Sequence, residues 1–137
     1  MGLAVNEKEL ELILAETEFI QVYGFKLVEI GAGECTLKVP FQKAFLRPGE
    51  IIAGPIMIAA ADVAMWFAIM TDRGPGDQSV TLDLKTAFLN SAGREDFLCK
   101  ARVLKFGKRL VYGVAECVSL DDKPFTHHTL TYILPGS

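Results

Sequence analysis

The feature that most constrains the fold is a run of 20 residues, Ile51 to Met70, that carries one charged side chain, Asp62. Gly54-Pro55 interrupts the run, so its uninterrupted helical part begins at Ile56. A helix of those 15 residues would be about 22 Å long, whereas the hydrocarbon core of a bilayer is ~30 Å thick. Asp62 at the bilayer centre would also cost about 3 kcal/mol. We therefore interpret the run as the core helix of a protein that does not span a membrane.

The rest of the chain predicts one further helix and six strands. A helix is predicted over Asn6–Phe19, where apolar residues follow helical spacing and Asn6 with Glu9 forms a capping-box pattern. Strands are predicted at Phe25–Ile30, Cys35–Phe41, Val80–Phe88, Phe97–Phe106, Leu110–Leu120 and Phe125–Leu134. Residues 42–50 are predicted to form a loop. The links between the last four strands are short, which predicts antiparallel hairpins or meanders.

This order of elements predicts an α+β fold in one domain, residues 1–137, because no repeat, linker or shift of composition divides the chain. The central helix is apolar on every face, so every face needs cover. One antiparallel sheet can cover one side, but too little chain remains for the other. A second copy of the chain is therefore expected to supply part of the cover.

Asp62 is the residue in this helix that needs an explanation. A buried carboxylate without partners is costly, so it must be hydrogen-bonded, protonated or open to a cleft. One interpretation is structural, with Asp62 capping a neighbouring loop or binding a backbone N–H of a partner. The other is that Asp62 acts as a general base or nucleophile, since a carboxylate in an apolar setting suits both roles.

The start of the helix offers a second chemical group, the backbone N–H of Gly54. Pro55 suits the first turn because it lacks an N–H that would have no partner there. Gly54 has no side chain, and its N–H lies at the positive end of the helix dipole. Such an N–H can stabilise a carbonyl oxygen that gains negative charge. Gly-Pro also starts helices for packing reasons alone, so both interpretations stay open.

Other chemistries find little support in the sequence. There is no GxSxG, P-loop or GxGxxG pattern. His127 and His128 are adjacent on a predicted strand and point to opposite faces, so they cannot chelate one metal together. The net charge of −3 offers no basic surface for nucleic acid. The N-terminal segment has acidic residues where a signal peptide has basic ones. The three cysteines, without CxxC spacing, are expected to be reduced thiols packed in a cytosolic protein.

Four basic residues cluster around Phe106-Gly107, and these are Arg102, Lys105, Lys108 and Arg109. They form either a solvated hairpin tip or an anchor for the phosphates of a nucleotide-bearing substrate.

Taken together, several short segments resemble the hotdog-fold acyl-CoA thioesterases of the phenylacetyl-CoA (PaaI-like) group. These segments are Phe45–Gly49, Ala53–Pro55, Ala61–Met65, Val80–Leu84, Phe88-Leu89 and Ala101–Leu110. The resemblance covers residues 24–134, with the N-terminal helix in residues 1–20 as an addition. It implies the hotdog fold, in which a curved antiparallel sheet wraps one long central helix. It also implies homodimers that assemble into homotetramers, active sites at the dimer interface, and no metal or cofactor apart from the CoA carried by the substrate.

The resemblance also implies roles for individual residues. Gly54 would donate its N–H to the thioester carbonyl, and Asp62, contributed by the other protomer, would activate water or attack the carbonyl. Thr81 would orient the water. Lys105, Lys108 and Arg109 would meet the CoA phosphates. The remaining substrate-binding candidates are Arg47, Pro55, Met65 and Trp66. Met65, Trp66 and Phe88, apolar residues near Asp62, would line an acyl or aryl pocket or belong simply to the core.

Two positions depart from the family pattern. Ala53-Gly54-Pro55 replaces its His-Gly-Gly motif, and Arg47 replaces an Asn or Gln. The resemblance as a whole still predicts a cytoplasmic acyl-CoA thioesterase for a medium-size acyl or aryl group. The alternative is a hotdog module that binds acyl-CoA or lipid without hydrolysing it. A hotdog dehydratase, an enzyme that usually needs an Asp/His pair, is a third and disfavoured option.

Overall fold

The computed structural model describes residues 2–135 and shows an antiparallel sheet around a long helix. Its helices are α1 (Glu7–Glu16), α2 (Glu18–Gln21) and α3 (Gly54–Arg73). Its strands are β1 (Lys26–Gly31), β2 (Glu34–Val39), β3 (Leu46–Arg47), β4 (Ile51–Ile52), β5 (Val80–Phe88), β6 (Phe97–Phe106), β7 (Leu110–Ser119) and β8 (Pro124–Ile133). The predicted α+β hotdog architecture with an added N-terminal helix is confirmed.

The main sheet has six strands in the order β1-β2-β6-β7-β8-β5, and all neighbours are antiparallel. Strands β3 and β4 form a separate pair within the segment predicted as a loop. Strand β5 lies at an edge beside β8, and it is not a neighbour of β6, although the short link between them predicted a hairpin or meander. The link instead crosses the start of β8, where Leu89 N–H and Asn90 N–H donate to Phe125 O. One long side of β5 is therefore left without a partner strand.

Helix α3 is the core of the domain, and its buried face packs against β2, β6 and β7. By length and composition the helix could cross a membrane, but most of it is buried inside the protein, as expected for a core helix. Its less buried side carries Pro55, Ala59, Asp62 and Trp66 at helical spacing. The sheet thus covers one side of α3 and leaves the stripe that contains Asp62 partly open.

The boundaries of α3 differ from the prediction, which limited its uninterrupted part to Ile56–Met70. The helix begins at Gly54 and continues to Arg73. Its last turn is stabilised by Thr71, whose hydroxyl donates to Ala68 O and accepts from Gly33 N–H. Gly74, with a φ of 87° that favours glycine, then ends the helix.

The N-terminal helix begins as predicted, with Asn6 as its N-cap and reciprocal hydrogen bonds to Glu9. The predicted single helix is broken at Thr17, which has extended backbone angles, so that α2 is a separate turn. A β-branched residue resists helical geometry. The bend brings Ile20 into the core, where it is buried.

The three cysteines are free and buried, as expected for packed thiols. Cys99 and Cys117 are opposite each other on β6 and β7. The Cys117 thiol lies 3.7 Å from Met57 O and 3.9 Å from His128 Nε2. Burial raises the pKa of Cys35 to about 12. A hydrogen bond to Cys117, together with burial, raises the pKa of Cys99.

We predict that the native protein does not react with a chromogenic aromatic disulfide such as DTNB. Burial opposes ionisation of Cys117, but hydrogen bonds to Cys99, His128 and Thr126 lower its pKa to about 6. Protection therefore depends on burial, which denies the reagent access to all three sulfur atoms. In guanidinium chloride all three thiols should be titrated, as followed by absorbance. Rapid reaction of one thiol in the folded protein would contradict the packing described here.

Candidate active site

Asp62 lies on the open stripe of α3 and is held by two hydroxyl groups. The Thr81 hydroxyl donates to Asp62 Oδ1 at 2.7 Å. The Tyr132 hydroxyl lies 2.7 Å from the same Oδ1 and 2.8 Å from the backbone O of Asp62. The Tyr132 hydroxyl has one proton, and it donates this proton to the carboxylate oxygen rather than to the backbone oxygen, because hydrogen bonds to a charged acceptor are stronger. Within residues 2–135 no group donates to Oδ2, which leaves that oxygen available for chemistry.

The sheet register explains why both hydroxyls reach one carboxylate. Thr81 on β5 is the register partner of Tyr132 on β8. Side chains of directly opposite residues lie on the same face of a sheet. The inner face carries Leu130 and His128 as well, both buried. Because α3 crosses this face, Asp62 meets Thr81 and Tyr132 together.

Burial raises the pKa of Tyr132 above its ordinary range, and the negative charge of Asp62 raises it further. The Tyr132 side chain is only 4% exposed. Its hydroxyl therefore keeps its proton at every pH at which the protein would work. It acts as a constant hydrogen-bond donor and not as an acid or base.

Asp62 opens into a groove of about 310 Å³. The groove is lined by Phe19, Asp62, Val63, Trp66, Ser79, Val80, Thr81 and Tyr132. Most of these side chains are apolar, and Phe19, contributed by α2, is 60% exposed. The arrangement is a carboxylate beside a surface that suits an apolar group.

Gly54 lies in a different groove at the start of α3. This groove has a volume of about 360 Å³ and also contains Arg47, Met57 and Phe88. A Cβ at Gly54 would lie 2.7 Å from the Phe88 ring, so the close approach of this ring requires glycine. Among the residues that the structure describes, none accepts a hydrogen bond from Gly54 N–H. The N–H is therefore free to bind a ligand oxygen at the positive end of the helix dipole.

The carboxylate and the free N–H are too far apart to act together within one chain. Gly54 and Asp62 are eight residues apart on α3, which corresponds to about 12 Å along the helix axis. They also line separate grooves. One thioester carbonyl cannot contact both groups of the same chain.

The basic hairpin between β6 and β7 forms a third groove, of about 570 Å³. Lys105, Lys108 and Arg109 line it together with Gly107, Leu110, Tyr112 and Thr131. Arg109 Nε donates to Leu134 O at 3.3 Å, which fixes one cation at the hairpin base. Arg102 lies in a separate groove with residues of β1 and β2. The structure thus brings three of the four basic residues together.

The other candidates take different positions. Trp66 lines the Asp62 groove, whereas Arg47 lines the Gly54 groove and donates from Nε to Pro48 O at 3.3 Å. Pro55 is exposed in the first turn of α3. The structure does not bring Met65 into either groove, because its side chain is buried against Gly113.

The two histidines have the environments expected of them. His128 is buried, with Thr86 Oγ1 2.8 Å from its Nδ1 and Thr126 Oγ1 2.8 Å from its Nε2. His127 is partly exposed on the other face of β8. In the described range 2–135, no three His, Cys, Asp or Glu side chains form a group that could hold a metal ion.

Sequence reasoning missed Tyr132 and Phe19. The alternation along β8 places Tyr132 on the same face as Leu130, which is a signal for an inward side chain. Its contact with Asp62 depends on the pairing of β5 with β8, which the sequence did not predict. Phe19 reaches the groove only because the N-terminal helix breaks at Thr17.

A long core helix wrapped by a curved sheet, with a carboxylate in an apolar groove, is the arrangement of a class of thioester hydrolases. Comparison with known proteins places the chain in the same class. The chain matches the thioesterase superfamily over residues 49–125 and belongs to that superfamily. A solved candidate thioesterase from Silicibacter sp. TM1040 is 31% identical, with a TM-score of 0.86, over 99% of this chain and 96% of that one. A candidate esterase from Thermoplasma acidophilum, Ta0293, is 26% identical over 77% of this chain and 79% of that protein.

The PaaI protein of the phenylacetic acid degradation operon of E. coli has the same fold. Its TM-score is 0.84 at 15% identity, over 95% of this chain and 93% of that one. That likeness shows the shared fold, and the superfamily match together with the Silicibacter relative confirms the resemblance to hotdog thioesterases. The chain is a thioester hydrolase.

Proposed function

We propose that the protein hydrolyses acyl-CoA thioesters with a medium-size acyl or aryl group, at a site built from two copies of the chain. The observation that carries the proposal is the geometry of Asp62. Two hydroxyls donate to its Oδ1, no described group donates to its Oδ2, and the residue lines a largely apolar groove. A carboxylate oxygen of this kind can take a proton from water or attack a carbonyl carbon directly.

The free edge of β5 supports a shared site. Three of its apolar side chains, Val80, Leu82 and Phe88, are more than half exposed, which is unusual for an unprotected edge strand. If two β5 strands pair antiparallel about Leu84, the Val80 end of one lies beside the Phe88 end of the other. Thr81 binds Asp62, and Phe88 lies over Gly54. This pairing therefore brings the Asp62 groove of one chain to the Gly54 groove of its partner.

In the proposed reaction the substrate carbonyl oxygen accepts a hydrogen bond from Gly54 N–H of one protomer. Asp62 of the other protomer removes a proton from water, whose oxygen attacks the carbonyl carbon. Thr81 can orient that water, because its oxygen still has lone pairs after its proton is donated to Asp62. The tetrahedral intermediate then expels the CoA thiolate, which takes up a proton. Direct attack by Asp62 is the variant in which an anhydride forms first and water hydrolyses it.

The apolar side chains beside Asp62 support an apolar acyl group. Trp66 and Phe19 offer aromatic surface within the same groove. Arg47 and Pro55 lie at the Gly54 half of the site, where they would contact the thioester or its pantetheine arm. We propose no role for a metal or other cofactor. The proposed state is a cytoplasmic homodimer that assembles into a homotetramer.

The basic hairpin supports CoA as the carrier, because phosphates bind where several cations converge. We predict that Lys108→Ala combined with Arg109→Ala raises KM for an acyl-CoA about 10-fold and leaves kcat unchanged, since the lost contacts serve binding alone. The acyl-pantetheine, which lacks the nucleotide, should show no change. Lys8→Ala combined with Lys26→Ala removes two exposed cations elsewhere and serves as the control. An equal rise in KM for the acyl-pantetheine would exclude phosphate binding by the hairpin.

The function is tested with a panel of CoA thioesters, from acetyl-CoA to medium-chain and aryl-CoA, followed by release of free CoA thiol. The expected result is turnover that is fastest for the medium-size acyl or aryl groups. Thermal-shift titrations with the same thioesters run in parallel. Stabilisation by a thioester without release of thiol would instead identify a binding module.

A further inference from the structure

We propose that Tyr132 is a positioning residue, whose hydroxyl fixes the carboxylate of Asp62 so that Oδ2 is its reacting oxygen. The inference rests on the proposed function and concerns the same site. Tyr132 was absent from the candidates that the sequence offered. Its ring lines the same groove, but its hydroxyl is bound to Asp62, so it acts through that carboxylate and not on the substrate.

The first argument is geometric. A carboxylate on an exposed helix face can rotate about its Cβ–Cγ bond, which exchanges its two oxygens. Here the Thr81 and Tyr132 hydroxyls both lie 2.7 Å from Oδ1. Rotation by less than a half-turn would break both contacts, so the two donors together fix the plane of the carboxylate. The two oxygens are equivalent, and the one that does not accept from the hydroxyls remains free in a residue that lines the groove.

The second argument concerns which of the two donors is decisive. Thr81 lies on the edge strand and is exposed, so water can replace its hydrogen bond. Tyr132 is 4% exposed, and its ring belongs to the hydrophobic core. A core-anchored ring holds its hydroxyl in place, and water has little access to compete for Oδ1. The tyrosine therefore supplies the rigid contact, and Thr81 stays free to exchange with solvent.

The third argument excludes a direct chemical role. Burial and the charge of Asp62 both oppose loss of the Tyr132 proton. A group that keeps its proton cannot serve as base or nucleophile. Its proton is also directed at Asp62, away from any leaving group. What remains is the support of a catalytic side chain, a function that packing and neighbouring hydrogen bonds perform in preorganised sites.

The test is Tyr132→Phe, which removes the hydroxyl and keeps the ring. On the best thioester of the panel we expect kcat to fall about 10- to 100-fold, as for a misplaced catalytic group. KM should stay within about twofold of wild type, because the ring that lines the groove is kept and the lost hydroxyl is bound to Asp62. Tyr23→Phe is the matched control. Tyr23 stacks on Phe25, and its hydroxyl forms no hydrogen bond within the described part of the chain, so kcat should be unchanged.

A second variant, Tyr132→His, also removes the contact, because its ring N–H falls well short of the position of the tyrosine oxygen. We expect a lowered kcat at unchanged KM for this variant as well, so the inference is tested even if only one of the two variants folds. A kcat of Tyr132→Phe within twofold of wild type would overturn the inference, as would a loss that resides in KM. Asp62→Asn is measured beside these variants. If Asp62→Asn retains full activity, the proposed function fails; if it is inactive while Tyr132→Phe is fully active, only the present inference fails.

Discussion

Asp62→Asn is expected to lower kcat by about 10²- to 10⁴-fold, the range for loss of a general base. Asparagine preserves the size of the side chain, and its amide oxygen can still accept from Thr81 and Tyr132. An amide nitrogen then replaces Oδ2, and it can neither accept the proton of water nor attack a carbonyl carbon. The loss should therefore appear in kcat, as measured by release of CoA thiol under saturating substrate.

The control for this prediction is Asp72→Asn, which removes a carboxylate from an exposed position on the same helix. Its kcat should equal that of the wild type. A full rate in Asp62→Asn would remove Asp62 from the mechanism, and the structural interpretation of this carboxylate would then stand. Equal losses in both variants would point to the charge of the helix and not to chemistry at one oxygen.

Mixing two inactive variants is expected to restore about a quarter of the wild-type activity if each site uses two protomers. The first variant is Asp62→Asn. The second is Gly54→Pro, in which proline lacks the N–H that would bind the carbonyl oxygen; loss of one such donor costs about 10²- to 10³-fold in kcat. In a mixed dimer, one site combines an intact Asp62 with an intact Gly54, and the other site contains both changes. Half of the dimers from a random mixture are mixed.

Proline suits the helix backbone at this position, because it would stand at the first residue of α3, where a free N–H is not needed for the helix. Its Cβ, however, would meet the Phe88 ring. Gly54→Ala is the matched control, since it adds a Cβ against Phe88 and keeps the N–H. Differently tagged copies, expressed together and purified through both tags, isolate the mixed dimers, which should show about half of the wild-type activity. Mixed dimers without recovered activity would show that the two groups do not meet across an interface.

The sequence predicted the elements that follow from local pattern. The apolar run identified α3, and the four C-terminal strands agree with the structure to within one residue at each end. Asn6 and Glu9 located the start of α1 because a capping box is a purely local signal. These features depend on neighbours within a few residues, and such neighbours can be read from one sequence.

Features that depend on distant pairing were not predicted. The placement of β5 beside β8 follows from the path of the link after Phe88, and alternation along β5 does not specify a partner. Asp62 was identified because a lone charge in an apolar helix needs partners. The identity of one partner, Tyr132, became visible only with the register of the sheet. Met65 was a reasonable candidate by distance along α3, but it faces the sheet and not the groove.

The burial of the cysteines has a consequence for the products. The proposed reaction releases the CoA thiol at the site, and an accessible cysteine thiolate could take the acyl group from the substrate by thioester exchange. Cys35, Cys99 and Cys117 all face the interior of the sheet, beneath α3. The fold therefore keeps its own sulfur chemistry apart from that of its substrate, and water is left as the acyl acceptor.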